Sequence, residues 1–165
     1  MMLLALAPAF AQLVNPGFEE GLRGWQAVGH PGIGVGVQNN RGYTIRQSAE
    51  GEHYLSIGWR RRSAAPRDAA MRVSTRFDAR RYRGRLIRVS ALTKAPDFAH
   101  RNARLIVSAG GAEAGTPIEA SERWRRHSVL LRIPRRAREI EIAFVTRGTG
   151  SQLAADDVRV ELVRR

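Results

Sequence analysis

Side chains able to ionise, coordinate a metal or attack a substrate are few here, and they are not spaced for catalysis. No cysteine occurs among the 165 residues, which removes disulfides, thiolate-bound zinc, iron–sulfur clusters and thiol nucleophiles together. The four histidines, His30, His53, His100 and His127, stand in different segments with no H-x-H or i, i+4 spacing. A two-histidine metal site would have to be assembled wholly by the fold. There is no Gly-x-Ser-x-Gly elbow, and Gly32-Ile33-Gly34-Val35-Gly36 reads better as a glycine-rich strand at a sheet edge than as a phosphate cradle. Acidic residues are adjacent only as Glu19-Glu20 and Asp156-Asp157, near the two ends. General acid and base work needs carboxyls in a cleft with a raised pKa, and no feature of the sequence supplies one. The expectation is a binding protein, not an enzyme.

Two residue classes remain that recognise ligands without reacting with them. Lysine and arginine number 28 against 15 aspartates and glutamates, a net charge of +13, and Lys94 is the one lysine. Such an excess draws a chain toward anionic polymers or surfaces. The arginines are nonetheless scattered apart from short clusters at 60–62, 125–126 and 135–136, which solvated faces explain as well as a polyanion site does. Aromatic residues make up only 7% of the chain. Trp25 and Trp124 are expected as core anchors, with Phe18 at the same core edge, because each tryptophan carries the largest apolar area available. Tyr43, Tyr54, Trp59 and Tyr82 are left as exposed rings that could stack on a sugar.

The elements that must position these residues are strands. Alternating or short apolar runs at 33–38, 43–47, 53–57, 71–77, 86–94, 103–109, 127–133, 139–146 and 158–163 are separated by glycine- and proline-rich turns. About nine antiparallel strands with no amphipathic helical run of ten residues predict an all-β sandwich, one domain over residues 12–165. Residues 1–11, MMLLALAPAFA, read as an export signal ending in a small-x-small cleavage pattern, which predicts a secreted or periplasmic protein. No run of 18 apolar residues is present, so no membrane-spanning helix is expected. Period-2 alternation turns Ile87, Val89, Ala91 and Thr93 inward and Arg88, Ser90, Leu92 and Lys94 outward. It likewise buries Leu55 and Ile57 and exposes Tyr54 and Ser56, and it buries Ile140, Ile142 and Phe144.

Six segments in order resemble carbohydrate-binding modules with a galactose-binding-like jelly-roll fold, of the cellulase- and xylanase-associated type. Asn15-Pro16-Gly17-Phe18-Glu19 followed by Gly21-Leu22-Arg23-Gly24-Trp25 is similar to their opening N-x-x-F-E and G-x-x-G-W. Gly51 through Ile57 resembles their third strand, and Gly84 through Lys94 a later strand in which Ile87 stands where an aromatic is usual. Trp124-Arg125-Arg126-His127-Ser128, Ile133-Pro134 and the closing Asp156-Asp157-Val158-Arg159-Val160 complete the series. The resemblance implies a glycan or polysaccharide partner. It also implies a structural Ca2+ tying the first strand to the last through Glu19 and Asp156, for which an arginine countercharge is the alternative. Its ligand-facing sheet corresponds to the strand bearing Arg88, Ser90 and Lys94, with Tyr54 and Trp59 the nearby stacking groups. A structural or adhesion sandwich without sugar binding, and an arginine-mediated binder of an anionic polymer other than nucleic acid, are the alternatives.

Overall fold

The computed structural model describes residues 13–39, 53–59, 69–95, 103–148 and 152–163, and of Asn39 and Trp59 the backbone alone. The predicted signal at 1–11, the predicted strand at 43–47, the arginines at 60–62, His100 and Tyr43 lie outside these residues. The described elements are β1 (Gln26–Gly29), β2 (Ile33–Asn39), β3 (His53–Trp59), β4 (Ala70–Asp78), β5 (Leu86–Ala95), β6 (Ala103–Ala109), β7 (Ala112–Pro117), β8 (Ser121–Arg132), β9 (Glu139–Arg147) and β10 (Leu153–Leu162), with a single 3-10 turn at Arg80–Tyr82. They form two five-stranded sheets, ordered β1-β4-β9-β6-β7 and β2-β3-β10-β5-β8. Every pairing is antiparallel. This is an all-β jelly-roll sandwich, as the sequence predicts.

The alternation along each strand explains why the two sheets close on one another. Leu55 and Ile57 of β3, Ile87, Val89 and Ala91 of β5, and Ile140, Ile142 and Phe144 of β9 are all fully buried, as period 2 requires. They form a single core with Val73, Leu105, Val107, Leu153 and Ala155 from the remaining strands. Burial of that continuous apolar surface is the main stabilising term. Trp25 is 5% exposed and packs between Phe18, at 4.9 Å between ring centroids, and Phe144, at 6.0 Å. The expectation of a tryptophan anchor therefore holds for Trp25.

The opening loop before β1 is organised by Asn15. Its Nδ2 donates to the Gly21 carbonyl at 2.8 Å, its Oδ1 accepts the Glu20 amide at 3.0 Å, and its own carbonyl accepts Trp25 Nε1 at 3.1 Å. Asn15 itself lies in the left-handed region (φ 51°), which asparagine tolerates better than most residues. The loop is fastened to the last strand by the Val158 amide donating to the Pro16 carbonyl at 3.1 Å.

Four boundaries depart from expectation. β1 and β7 are strands that the sequence reading passes over, β8 begins at Ser121 instead of 127, and β10 begins at Leu153 instead of 158. β7 contains Gly115 and Pro117, which read as a turn, but among the described residues it is the outer strand of its sheet and pairs with β6 alone. An edge strand tolerates a missing donor and a missing side chain. β2, with its two glycines, occupies the edge of the other sheet, as predicted.

Candidate functional site

The outer face of the sheet β2-β3-β10-β5-β8 gathers most of the side chains singled out as ligand-binding. Because Leu55 and Ile57 point into the core, Tyr54 and Ser56 stand on the outside of β3, both partly exposed. On β5 the same logic places Arg88, Leu92 and Lys94 outside. Their partners across the ladder on β8 are Leu130 opposite Arg88, Ser128 opposite Ser90 and Arg126 opposite Leu92. Ser90 shares that face but is only 4% exposed, because Arg126 lies across it and donates from Nη1 to Ser90 Oγ at 3.2 Å.

Aromatic surface on this face comes from Tyr54 and Trp124. Their rings meet edge to face, with centroids 5.7 Å apart. The strands that carry them, β3 and β8, are separated by β10 and β5, a span of about 14 Å at the usual strand spacing. The two rings thus lean toward each other across the sheet. Between Ser56 and Lys94 the floor is Ala154, which pairs with both and has only a methyl side chain. Tyr54 Oη donates to Gln38 Oε1 at 2.8 Å, and Gln38 Nε2 donates to Ser56 Oγ at 3.2 Å. A planar amide and two hydroxyls therefore border the ring pair.

Beside the rings lies a charged cluster built by a bulge in β10. Asp156 pairs with Leu92 and Arg159 with Ser90, so β10 carries one extra residue over this step, and Asp157 takes a left-handed conformation (φ 45°) to accommodate it. Arg159 Nε donates to Asp157 Oδ1 at 2.8 Å, and Arg126 pairs with Oδ2 while Nη1 donates to the Asp157 carbonyl at 3.3 Å. Burial alone would raise the Asp157 carboxyl, but hydrogen bonds and charge from Arg159 and Arg126 outweigh it and hold its pKa below the usual carboxylate value. Farther along the face, Arg88 and Glu161 lie 3.9 Å apart.

Tyr54, Arg88, Ser90 and Lys94 thus share one sheet face. Trp59 closes β3, and its side chain lies outside the described residues. Two aromatic assignments need correction. Trp124 is not a core anchor: it stands partly exposed on the outer face, where the earlier start of β8 and the irregular pairing between Thr93 and Ala95 place it. Tyr82, expected to be exposed, is 7% exposed, with its ring edge-on to Phe77 at 5.9 Å. Sequence reasoning also missed Gln38, Arg126, Asp157 and Arg159. Carrying the outward series Ser128, Leu130 of β8 back by twos reaches Arg126 and Trp124, a signal that the late predicted start of that strand concealed.

Asp156 lies where the opening loop meets β10, and Glu19, later in that loop, meets β3. Asp156 is fully buried, and not by alternation: its ladder partner Leu92 faces outward, and the opening loop lies against it. A Cβ built on Gly17 would come within 3.7 Å of Asp156 Oδ1, and that same oxygen accepts the Asp157 amide at 2.7 Å. Glu19 engages His53, accepting its amide at Oε1 (3.1 Å) and lying 2.8 Å from its Nδ1 at Oε2. The donors at this junction, carboxylate and main-chain carbonyl oxygens, suit a hard cation such as calcium. Among the described residues no three histidine or acidic side chains converge on one point, so main-chain oxygens would have to complete the shell of any ion.

The outer face of the opposite sheet has a different character. A shallow depression of about 560 Å³ there is lined by Arg76, Glu113, Arg136, Arg138, Glu139 and Glu141, with no aromatic ring. Burial tends to raise the Glu141 carboxyl, yet hydrogen bonds from Arg72 and Ser74 lower its pKa overall.

No family model matches the sequence, and no curated protein does. Solved structures match it closely in shape. A family 61 carbohydrate-binding module, in complex with β-1,4-galactotriose, is 18% identical with a TM-score of 0.65, covering 92% of this chain and 97% of that one. A second module of family 16 gives 13% identity and a TM-score of 0.66 over 90% and 98% of the two chains. The enzymatically active domain of bacteriophage CBA120 tailspike protein 4 gives 14% identity and a TM-score of 0.68, but the match spans only 21% of that longer chain. Among the described residues no helix is long and apolar enough to cross a membrane. The chain has the jelly-roll fold of carbohydrate-binding modules.

Proposed function

We propose that this protein is an exported, non-catalytic glycan-binding domain whose ligand lies on the outer face of the sheet β2-β3-β10-β5-β8. The observation that carries this reading is the Tyr54–Trp124 pair, two partly exposed rings meeting edge to face on a sheet face that also carries polar and charged side chains. A pyranose presents an apolar face to an aromatic ring and hydroxyls around its rim, and Gln38 and Ser56 supply planar and hydroxyl partners at that rim. The complex of the family 61 module with β-1,4-galactotriose makes a galactan the first ligand to try. The face also favours binding over turnover. The carboxylate nearest its centre, Asp157, is held ionised by two arginines, the opposite of what a general acid needs.

Export rests on the apolar segment at 1–11. A calcium ion is proposed at the junction of the opening loop with β10, held by Asp156 and Glu19 together with nearby main-chain oxygens. Its support is the complete burial of the Asp156 carboxylate against the opening loop.

The test is titration of the protein with galactan, xylan and β-glucan by calorimetry. Trp124→Ala and Tyr54→Ala should each weaken binding by about 1–2 kcal/mol, roughly ten-fold or somewhat more. Unchanged affinity in both variants, with melting intact, would remove the ligand from this face.

A further inference from the structure

The charged cluster beside the aromatic pair points to a particular class of glycan, an inference that rests on the glycan-binding reading above. Arg126, Asp157 and Arg159 do not meet a ligand equally. The Asp157 side chain is only 10% exposed, whereas those of Arg126 and Arg159 are 35% and 46% exposed. The carboxylate therefore acts from below as an anchor, and the two guanidiniums form the surface above it. Ser90 Oγ and the Asp157 carbonyl fix the inner edge of the Arg126 guanidinium at 3.2 and 3.3 Å. Arginine carries five N–H donors in a planar fork, so a guanidinium held along one edge keeps donors for an oxyanion approaching from outside.

Holding the cations this way has a structural cost. The bulge forces a non-glycine residue, Asp157, to positive φ, and a carboxylate oriented by that backbone is what brings the two arginines together. Guanidiniums fixed in advance can bond sugar hydroxyls, but they bond a planar oxyanion more strongly, through charge-assisted paired N–H donors. The arrangement is also close to the rings. Arg126 lies two residues from Trp124 on β8, about 7 Å along the strand, within the length of a disaccharide. Arg88 differs in kind, since its nearby Glu161 is as exposed as it is and offsets it.

We propose that the ligand is an acidic polysaccharide, one sugar stacking on Tyr54 and Trp124 while the carboxylate or sulfate of a neighbouring sugar is received by Arg126 and Arg159. The chain's charge of +13 would bring such a polymer to the face by long-range attraction, and the fixed guanidiniums would select it there.

The experiment compares polygalacturonate with its fully methyl-esterified form, the same sugar chain with and without charge, at 0.15 M salt. Dextran sulfate paired with dextran separates sulfate from carboxylate as the source of the charge, and polyglutamate serves as a polyanion lacking sugar. The expected result is at least ten-fold tighter binding of an acidic polymer than of its neutral counterpart. Arg126→Gln and the more exposed Arg159→Gln should each cut that ratio several-fold. Arg104→Gln, which removes the same charge from the opposite sheet, should leave it intact. Equal binding of charged and uncharged forms, both weakened by Trp124→Ala, would overturn the acidic preference while the glycan-binding reading stands. Binding of polyglutamate as tight as that of the acidic polysaccharides, or an equal effect of Arg104→Gln, would overturn it in favour of unspecific charge attraction. No binding of any saccharide would overturn both.

Discussion

Asp157 shows how one residue can organise a site that counting along a strand does not reveal. Alternation assigns faces in steps of two, and the extra residue at Asp157 shifts the count for everything after it. That is why Tyr54, Arg88 and Lys94 could be placed on the outer face from their own strands, while Arg159 and the carboxylate between the arginines could not. Asp156 is buried under a loop instead of inside the sandwich, which sequence spacing cannot show. The lowered pKa of Asp157 has a consequence for stability. A carboxylate whose folded pKa lies below its unfolded value, about 3.9, stabilises the fold above that value and loses the contribution as pH falls through the folded pKa. Asparagine tolerates the same left-handed backbone without the charge. The urea midpoint of wild type should therefore exceed that of Asp157→Asn by a constant amount between pH 6 and 8, and the gap should close below about pH 4. A gap of the same size at pH 3 and pH 7 would mean that the ion pairs contribute nothing to folding.

The strands that alternate cleanly between core and solvent were legible in the sequence almost to the residue, and β6 spans the predicted 103–109. Those that did not alternate were missed or shortened. β1 is exposed along its whole length, β7 contains Gly115 and ends on Pro117 with no residue fully buried, and the first half of β8 shows no period of two in its burial. Their pairing is decided by neighbours distant in sequence, which local pattern does not encode. The two-residue connection between β6 and β7 is an exception, because Gly110 and Gly111 both take positive φ (53° and 87°) as a tight hairpin demands. At the opening loop the balance between strain and burial can be tested. Phe18 has φ 58° and is completely buried against Trp25, so its packing must outweigh an unfavourable backbone. Phe18→Ala should cost about 3–5 kcal/mol by chemical denaturation, whereas Val28→Ala on the 69% exposed side chain of β1 should stay within about 0.5 kcal/mol. A cost below about 1 kcal/mol for Phe18 would mean that the loop folds without its anchor.

At the scale of the whole molecule, the ordered series of weak motifs carried more than any one of them, since each marks a turn or strand that the jelly roll requires in that order. The calcium proposal belongs to this scale, because Glu19 and Asp156 lie near opposite ends of the chain and an ion shared between them would bind only the folded state. Such a ligand at a hundred-fold excess over its dissociation constant adds about 2.7 kcal/mol, a rise in melting temperature of about 5–10 °C for a chain this long. Chelator should lower the melting temperature of wild type by that amount and leave Asp156→Asn unmoved. Identical melting of chelated and calcium-loaded wild type would leave an arginine as the countercharge. The sheet order also has a consequence in time. The final strand, β10, lies at the middle of its sheet, between β3 and β5, and β9 holds the middle of the other. Neither sheet can therefore be completed before these strands emerge, since each follows in sequence every strand of the sheet it joins. Until then the apolar faces of the earlier strands lack their central partner, so the polypeptide stays open and closes into a sandwich only once β9 and β10 are in place.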